Sequence, residues 1–109
     1  MRHLELTEIA RADLKSIRRY SQRTWGPDRT AQYMEALRDT MKGLLAGTVV
    51  SRNRDDLRPG LLMVTSGRHQ VFFEADQSRI LVVRVLHDSM DYQRHLDAEA
   101  ASDAKPSLD

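Results

Sequence analysis

Apolar and polar positions follow two different periods along this chain, and the changes of period mark its elements. His3 to Leu6 alternates, Leu4 and Leu6 against His3 and Glu5, which predicts a short strand added to a sheet built elsewhere. Thr7 offers a helix N-cap, with Glu8 in the first turn where the helix dipole favours an acid. Ala10, Leu14, Ile17 and Ser21 then recur at helical spacing, flanked by Ile9 and Tyr20. Trp25-Gly26-Pro27 ends this helix, because glycine suits a helix terminus and proline the first turn of the next. Ala31, Met34, Leu37, Met41, Leu44 and Leu45 line a second helix, stopped by Gly47. So short a break between two helices makes an antiparallel hairpin.

The period then shortens. Residues 47–57 have none and read as a connection, and Arg58-Pro59-Gly60 marks a turn. Leu61 to Thr65 reads as a strand, Ser66-Gly67-Arg68 as a hairpin turn, and His69 to Ala75 as the next strand. Its Val71, Phe73 and Ala75 fall on one face, its Gln70, Phe72 and Glu74 on the other. Asp76-Gln77-Ser78 leads into Ile80 to Leu86, apolar throughout except for Arg84. That stretch predicts a strand buried on both faces at the centre of the sheet. Alternation puts Arg84 on one face with Ile80, Val82 and Leu86, opposite His87. A short final helix follows, capped by Asp88 or Ser89 and lined by Met90, His95 and Leu96. The expected fold is therefore α+β: an N-terminal strand, a helical hairpin packed on an antiparallel sheet of three further strands, and a short C-terminal helix. Residues 1–96 form one domain, and 97–109 a polar, flexible tail.

Composition narrows the classes. The 40% hydrophobic and 30% charged residues suit a soluble globular domain. No run approaches the roughly 18 apolar residues of a membrane span, and the N-terminus lacks a signal-peptide pattern. With no cysteine, thiol nucleophiles and thiolate metal sites are excluded, and a cytoplasmic chain is expected. Net charge is +1, but 16 Lys+Arg against 12 Asp+Glu through residue 96 leaves the body at +4. Arg11, Lys15, Arg18, Arg19 and Arg23 crowd the outer face of the first helix, where they suit an acidic partner.

Candidate chemistry gathers after the last strand. Arg84, His87 and Tyr92, with Arg58 and Arg68, could serve acid–base work on a phosphodiester, histidine moving protons and arginine holding developing charge. That chemistry is the alternative reading: the expectation for Arg84 is a structural charge held by an acid from a covering helix or the tail, with no catalytic residue assigned. Asp88, Asp91 and His95 could share a helix face, but two carboxylates and one histidine lack a further ligand, so no metal site is assigned. The glycines occur singly, and no phosphate loop or nucleophile elbow is present.

Several ordered pieces carry a resemblance. They are Leu6-Thr7, Ala12-Asp13-Leu14 and Ile17, Trp25-Gly26, Tyr33 and Leu37, Arg58-Pro59-Gly60-Leu61, Gly67-Arg68-His69 with Val71-Phe72-Phe73, and Ile80 to His87 with Met90-Asp91 and Arg94-His95-Leu96. Over residues 3–96 the chain resembles the RelE/ParE superfamily of type II toxin–antitoxin toxins, and within it the ParE branch. The resemblance implies a non-catalytic toxin that inhibits DNA gyrase by protein–protein binding, with no cofactor. It also implies a cognate acidic ParD-like antitoxin, which lays a partly disordered segment over the toxin and carries the complex to operator DNA. Arg11, Lys15, Arg18, Trp25 and Tyr33 are the antitoxin-binding candidates, and Arg58, Arg68, His87 and Arg94 the target-contact candidates. The RelE branch, ribosome-dependent mRNA endoribonucleases, is the alternative and would use Arg84, His87 and Tyr92. Its basic sheet is not matched here, where Leu62 to Thr65 carries no charge.

Overall fold

The structure is a computed structural model that describes residues 2–97. Its elements follow in the order β1 (His3–Leu6), α1 (Glu8–Trp25), α2 (Pro27–Ala46), β2 (Arg52–Asn53), β3 (Leu62–Ser66), β4 (His69–Ala75) and β5 (Arg79–His87). A last helix, α3, covers residues 92–97. The predicted α+β architecture is present. The tail predicted from residue 97 lies, from residue 98 on, outside the described residues.

The sheet has the order β1-β5-β4-β3-β2. Three details differ from the sequence-based expectation. β1 runs parallel to β5, so the sheet is mixed; the helical hairpin is the crossover that a parallel pair needs. The two-residue β2 adds a fifth strand within the stretch read as a connection. β4 rather than β5 is the middle strand, although both are interior.

Local chemistry explains the helices. The Thr7 side chain accepts a hydrogen bond from the Ala10 N–H at 3.1 Å and caps α1, while its hydroxyl donates to the Val83 carbonyl at 3.0 Å and ties the cap to the sheet. Gly26, at φ +84°, lies between the two helices in a conformation that L side chains rarely adopt, and Pro27 opens α2. The buried stripe of α1 is Ala10, Ile17 and Ser21. In α2 it is Thr30, Met34, Leu37, Met41 and Leu44; the helix turns Ala31 outward and leaves Leu45 partly exposed, so those two predicted core positions give way to Thr30.

Two cores result, one on each face of the sheet. The larger joins α1 and α2 to Val64, Val71, Phe73, Ile80, Val82 and Val85. The smaller joins Leu61, Met63, Phe72, Val83, Leu86 and Leu96. A β-bulge assigns the residues of β5 to these cores. Phe73 pairs with Val82 but Phe72 pairs with Arg84, so Val83 is an extra residue. Alternation therefore slips by one at Val83. Arg84 does not share a face with Ile80 and Val82, as strict period two required; it follows Leu86 to the smaller core, and Val85 takes the hairpin side. The cap of α3 also differs from expectation. Asp91 Oδ1 accepts from the Arg94 N–H at 3.3 Å, while Asp88 and Ser89 belong to the preceding turn.

Candidate partner-binding site

The basic face of α1 lies between two concavities. On its α2 side, Leu14, Lys15 and Arg18 face Met34, Leu37, Arg38 and Met41 across a groove of about 160 Å³. Its floor is apolar and its rim cationic. Arg11, Lys15 and Arg18 are exposed, and among the described residues none of the three has an ion-pair partner.

On the other side of α1 is a larger cleft of about 560 Å³. α1 contributes Ile17, Tyr20 and Trp25, α2 contributes Tyr33, the β3–β4 turn contributes Arg68, the start of β4 contributes His69, and the end of β5 and the turn after it contribute His87 and Met90. Gly67, at φ +59°, makes that turn possible; a Cβ there would lie 2.7 Å from the Tyr33 ring. Tyr33 is the clamp of the turn. Its hydroxyl accepts from the Arg68 N–H at 3.0 Å and lies 3.3 Å from the Ser66 carbonyl and 2.5 Å from His69 Nδ1. Burial raises the Tyr33 pKa. Burial first, and the neighbouring His87 second, push His69 down to about 4. His69 is therefore neutral at pH 7, with Nδ1 able to accept the phenol proton.

The rings form a chain across the cleft. Trp25 and Tyr33 are 5.7 Å apart, Tyr33 and His69 5.5 Å, and His69 and His87 5.2 Å. Arg29 stacks on Trp25, its Cζ 4.6 Å from the ring centre. His69 and His87 are cross-strand partners, which explains their contact. His87 Nδ1 accepts from the Ser89 N–H at 3.1 Å, so the ring proton of the neutral form sits on Nε2. On the rim, Arg68 grips Asp88 through Nε and a terminal nitrogen at 2.8 and 3.2 Å. The Arg68 guanidinium holds the Asp88 carboxyl below its ordinary range.

Arg84 stands apart from both concavities. Asp13 of α1 takes its Nε and one terminal nitrogen at 2.8 Å each, and its other terminal nitrogen donates to the His95 carbonyl at 3.0 Å. Asp13 also accepts from the Val85 N–H at 3.0 Å, beyond the last residue that β1 pairs with β5. Tyr92 packs its ring on Phe72 at 5.1 Å in the smaller core. The phosphodiester set of Arg84, His87 and Tyr92 is thus not assembled: Arg84 and Tyr92 lie on one side of the sheet and His87 on the other.

The other sequence candidates divide as well. Lys15 and Arg18 line the groove, whereas Trp25 and Tyr33 line the cleft. Of the target-contact candidates, Arg68 and His87 meet at the cleft, Arg58 pairs with Glu74 at 3.1 Å, and Arg94 is exposed on α3. Asp88, Asp91 and His95 are not gathered: among the described residues no three of His, Asp and Glu are placed to hold a metal ion. Sequence reasoning missed His69, Tyr20 and Met90 as cleft residues. His69 was within reach, because a two-residue turn at Gly67-Arg68 fixes its partner on β3, but its register with β5 depends on the bulge.

The family model described as "ParE toxin of type II toxin-antitoxin system, parDE" matches residues 4–92. The chain is 33% identical to "Toxin ParE1" of Caulobacter vibrioides over 96 residues, which cover 88% of this chain and 99% of that one. It is 35% identical to "Toxin ParE" of Escherichia coli over 92 residues, 84% of this chain and 89% of that one. Among solved structures, "Chromosomal ParDE TA system from P. aeruginosa" matches in fold, with a TM-score of 0.69 at 22% identity over 80% of this chain and 96% of that one.

Proposed function

We propose that this chain, which belongs to the ParE toxin family of type II toxin–antitoxin systems, arrests DNA replication in the cytoplasm by binding DNA gyrase and is silenced by a cognate acidic ParD-like antitoxin. The observation that carries the silencing half is the α1–α2 groove. Its apolar floor of Leu14, Met34, Leu37 and Met41 accepts the apolar side of an amphipathic segment, and Lys15, Arg18 and Arg38 on its rim suit that segment's acids. Arg11 extends the same basic face by about one turn beyond Lys15. Operator DNA is reached through the antitoxin, since α1 offers its cations to an acidic protein and the sheet has no basic stripe. The toxin itself contributes binding and no bond chemistry: both sides of the Arg84 guanidinium are occupied within the fold, and His87 stands on the opposite face of the sheet.

Expression without the antitoxin tests the target. DNA breaks and an SOS response are expected while protein synthesis continues; immediate translation arrest with cut messages would show a nuclease instead. Reversing the charge of Arg11, Lys15 and Arg18 tests the groove. Antitoxin affinity and its salt dependence should both fall, and unchanged values would remove the antitoxin from α1.

A further inference from the structure

Five large apolar side chains are exposed among the described residues, and three of them, Tyr20 at 60%, Trp25 at 37% and Met90 at 43%, surround the one cleft beside α1. Scattered exposed apolar residues are ordinary, but convergence on a single concavity marks a surface that something covers. The walls are preformed. Tyr33 is locked by its contacts to the β3–β4 turn, and Trp25 is in contact with both the Tyr33 ring and the Arg29 guanidinium. A rigid aromatic wall loses little entropy on binding.

Charge selects the occupant. Arg29 makes no ion pair among the described residues, and Arg23 in the last turn of α1 makes none either. Deeper in the cleft the charges are already matched or absent: Arg68 is held by Asp88, and His69 is neutral. A polyanion such as a nucleic acid would find little net positive charge at the floor. An apolar side chain in the cleft with a carboxylate over Arg29 or Arg23 satisfies both parts. The cleft and the α1–α2 groove lie on either side of the same helix, with Lys15 and Arg18 on one flank and Tyr20 on the other.

We infer that the cleft of Tyr20, Trp25 and Met90 is a second anchor point for the same acidic segment that occupies the groove, so that this segment crosses α1 and seats an aromatic or large aliphatic side chain against Trp25. The inference rests on the antitoxin reading of the groove and adds to it a bipartite grip. A segment held at two points gains from the high effective concentration of the second contact once the first is made. A partner gripping both flanks of α1 also leaves the chain less able to use either flank elsewhere.

Trp25 is the only tryptophan, so its emission reports the cleft directly. The probe is the antitoxin encoded beside this chain, titrated into the full chain at low salt. Binding should shift the Trp25 emission to the blue. Tyr20→Ser and Met90→Ser, both at exposed positions, should each weaken binding about tenfold and reduce the emission shift, with the salt dependence preserved. Lys15→Glu with Arg18→Glu should weaken binding and flatten the salt dependence. If the antitoxin binds the wild type, and the charge reversals weaken it, but Trp25 emission is unchanged and Tyr20→Ser binds normally, the cleft is not an anchor while the groove reading stands. If the wild type does not bind the antitoxin at all, both readings fall. A single-stranded oligonucleotide that shifts Trp25 emission while the antitoxin does not would overturn the inference in favour of a nucleic-acid ligand.

Discussion

Arg84 and His87 stand three residues apart on β5, yet their surroundings could hardly differ more. Arg84 is 7% exposed, and each nitrogen of its guanidinium donates to Asp13 or to the His95 carbonyl. His87 opens into a cleft at which Tyr20 and Met90 are exposed. In the first region every polar group that folding buries has a partner inside the chain. In the second, apolar surface is left without one. A buried charge with fixed partners serves the fold, whereas apolar side chains left exposed around a preformed cleft are available to something outside it. Residue type alone points the other way, since an arginine near a histidine looks like chemistry.

The largest test of this contrast is Asp13→Ala. It strands a buried guanidinium and the Val85 N–H together, and should cost about 3–5 kcal/mol in urea-induced unfolding followed by Trp25 emission. Replacing the pair with apolar residues, Asp13→Leu with Arg84→Met, should recover most of that loss. If the double variant is no more stable than the single, Arg84 does more than fill the core.

Two changes at the cleft come next, because its base is part of the fold even though its mouth is not. Gly67→Ala places a Cβ against the Tyr33 ring at a positive φ, and should cost about 1–3 kcal/mol. Tyr33→Phe removes the acceptor of the Arg68 N–H and the partner of His69, for about 1–2 kcal/mol. A Tyr33→Phe variant as stable as the wild type would make Tyr33 a binding residue only.

Acid should reveal the same base. His69 has a folded pKa of about 4 against an ordinary 6.5. Above pH 6.5 it is neutral in both states. As pH falls from 6.5 towards 4 the unfolded chain takes up a proton that the folded chain refuses, so stability declines across that window and levels off below it. His87, Asp88, Asp13, Arg68 and Tyr33 share this environment, and partial exposure of the ring limits the loss to roughly 1–2 kcal/mol. His69→Gln should flatten the profile; a variant that keeps the same acid slope would assign it to another group. The smallest effect is expected at the mouth. Tyr20→Ser should change stability by no more than about 0.5 kcal/mol, and a larger loss would mean that this ring is packed rather than presented.

Much of this was legible in the residues. Thr7 and Gly26-Pro27 announce the helix ends, and the stripes at Ala10, Ile17, Met34 and Leu37 announce the buried faces, because caps and helical periods act within a few residues. The basic face of α1 was equally plain. Which side chains form one site was not. Trp25 and Tyr33 were grouped with Lys15 and Arg18, and the fold places them on opposite flanks of α1. Asp13 is one acid among many until α1 lies against the end of β5.

The sequence by itself determined the two long helices, the longer strands, their order, the α+β class and the family, because each rests on local propensity or on ordered motifs; the two-residue β2 escaped it. Only the tertiary structure decided which acid holds Arg84 and on which face of the sheet it lies. One extra residue at Val83 turns Arg84 away from Val82 and towards the smaller core, and leaves His87 on the hairpin side beside His69. No local rule shows that slip, because a bulge is set by the pairing of two strands and by the packing on both faces of the sheet.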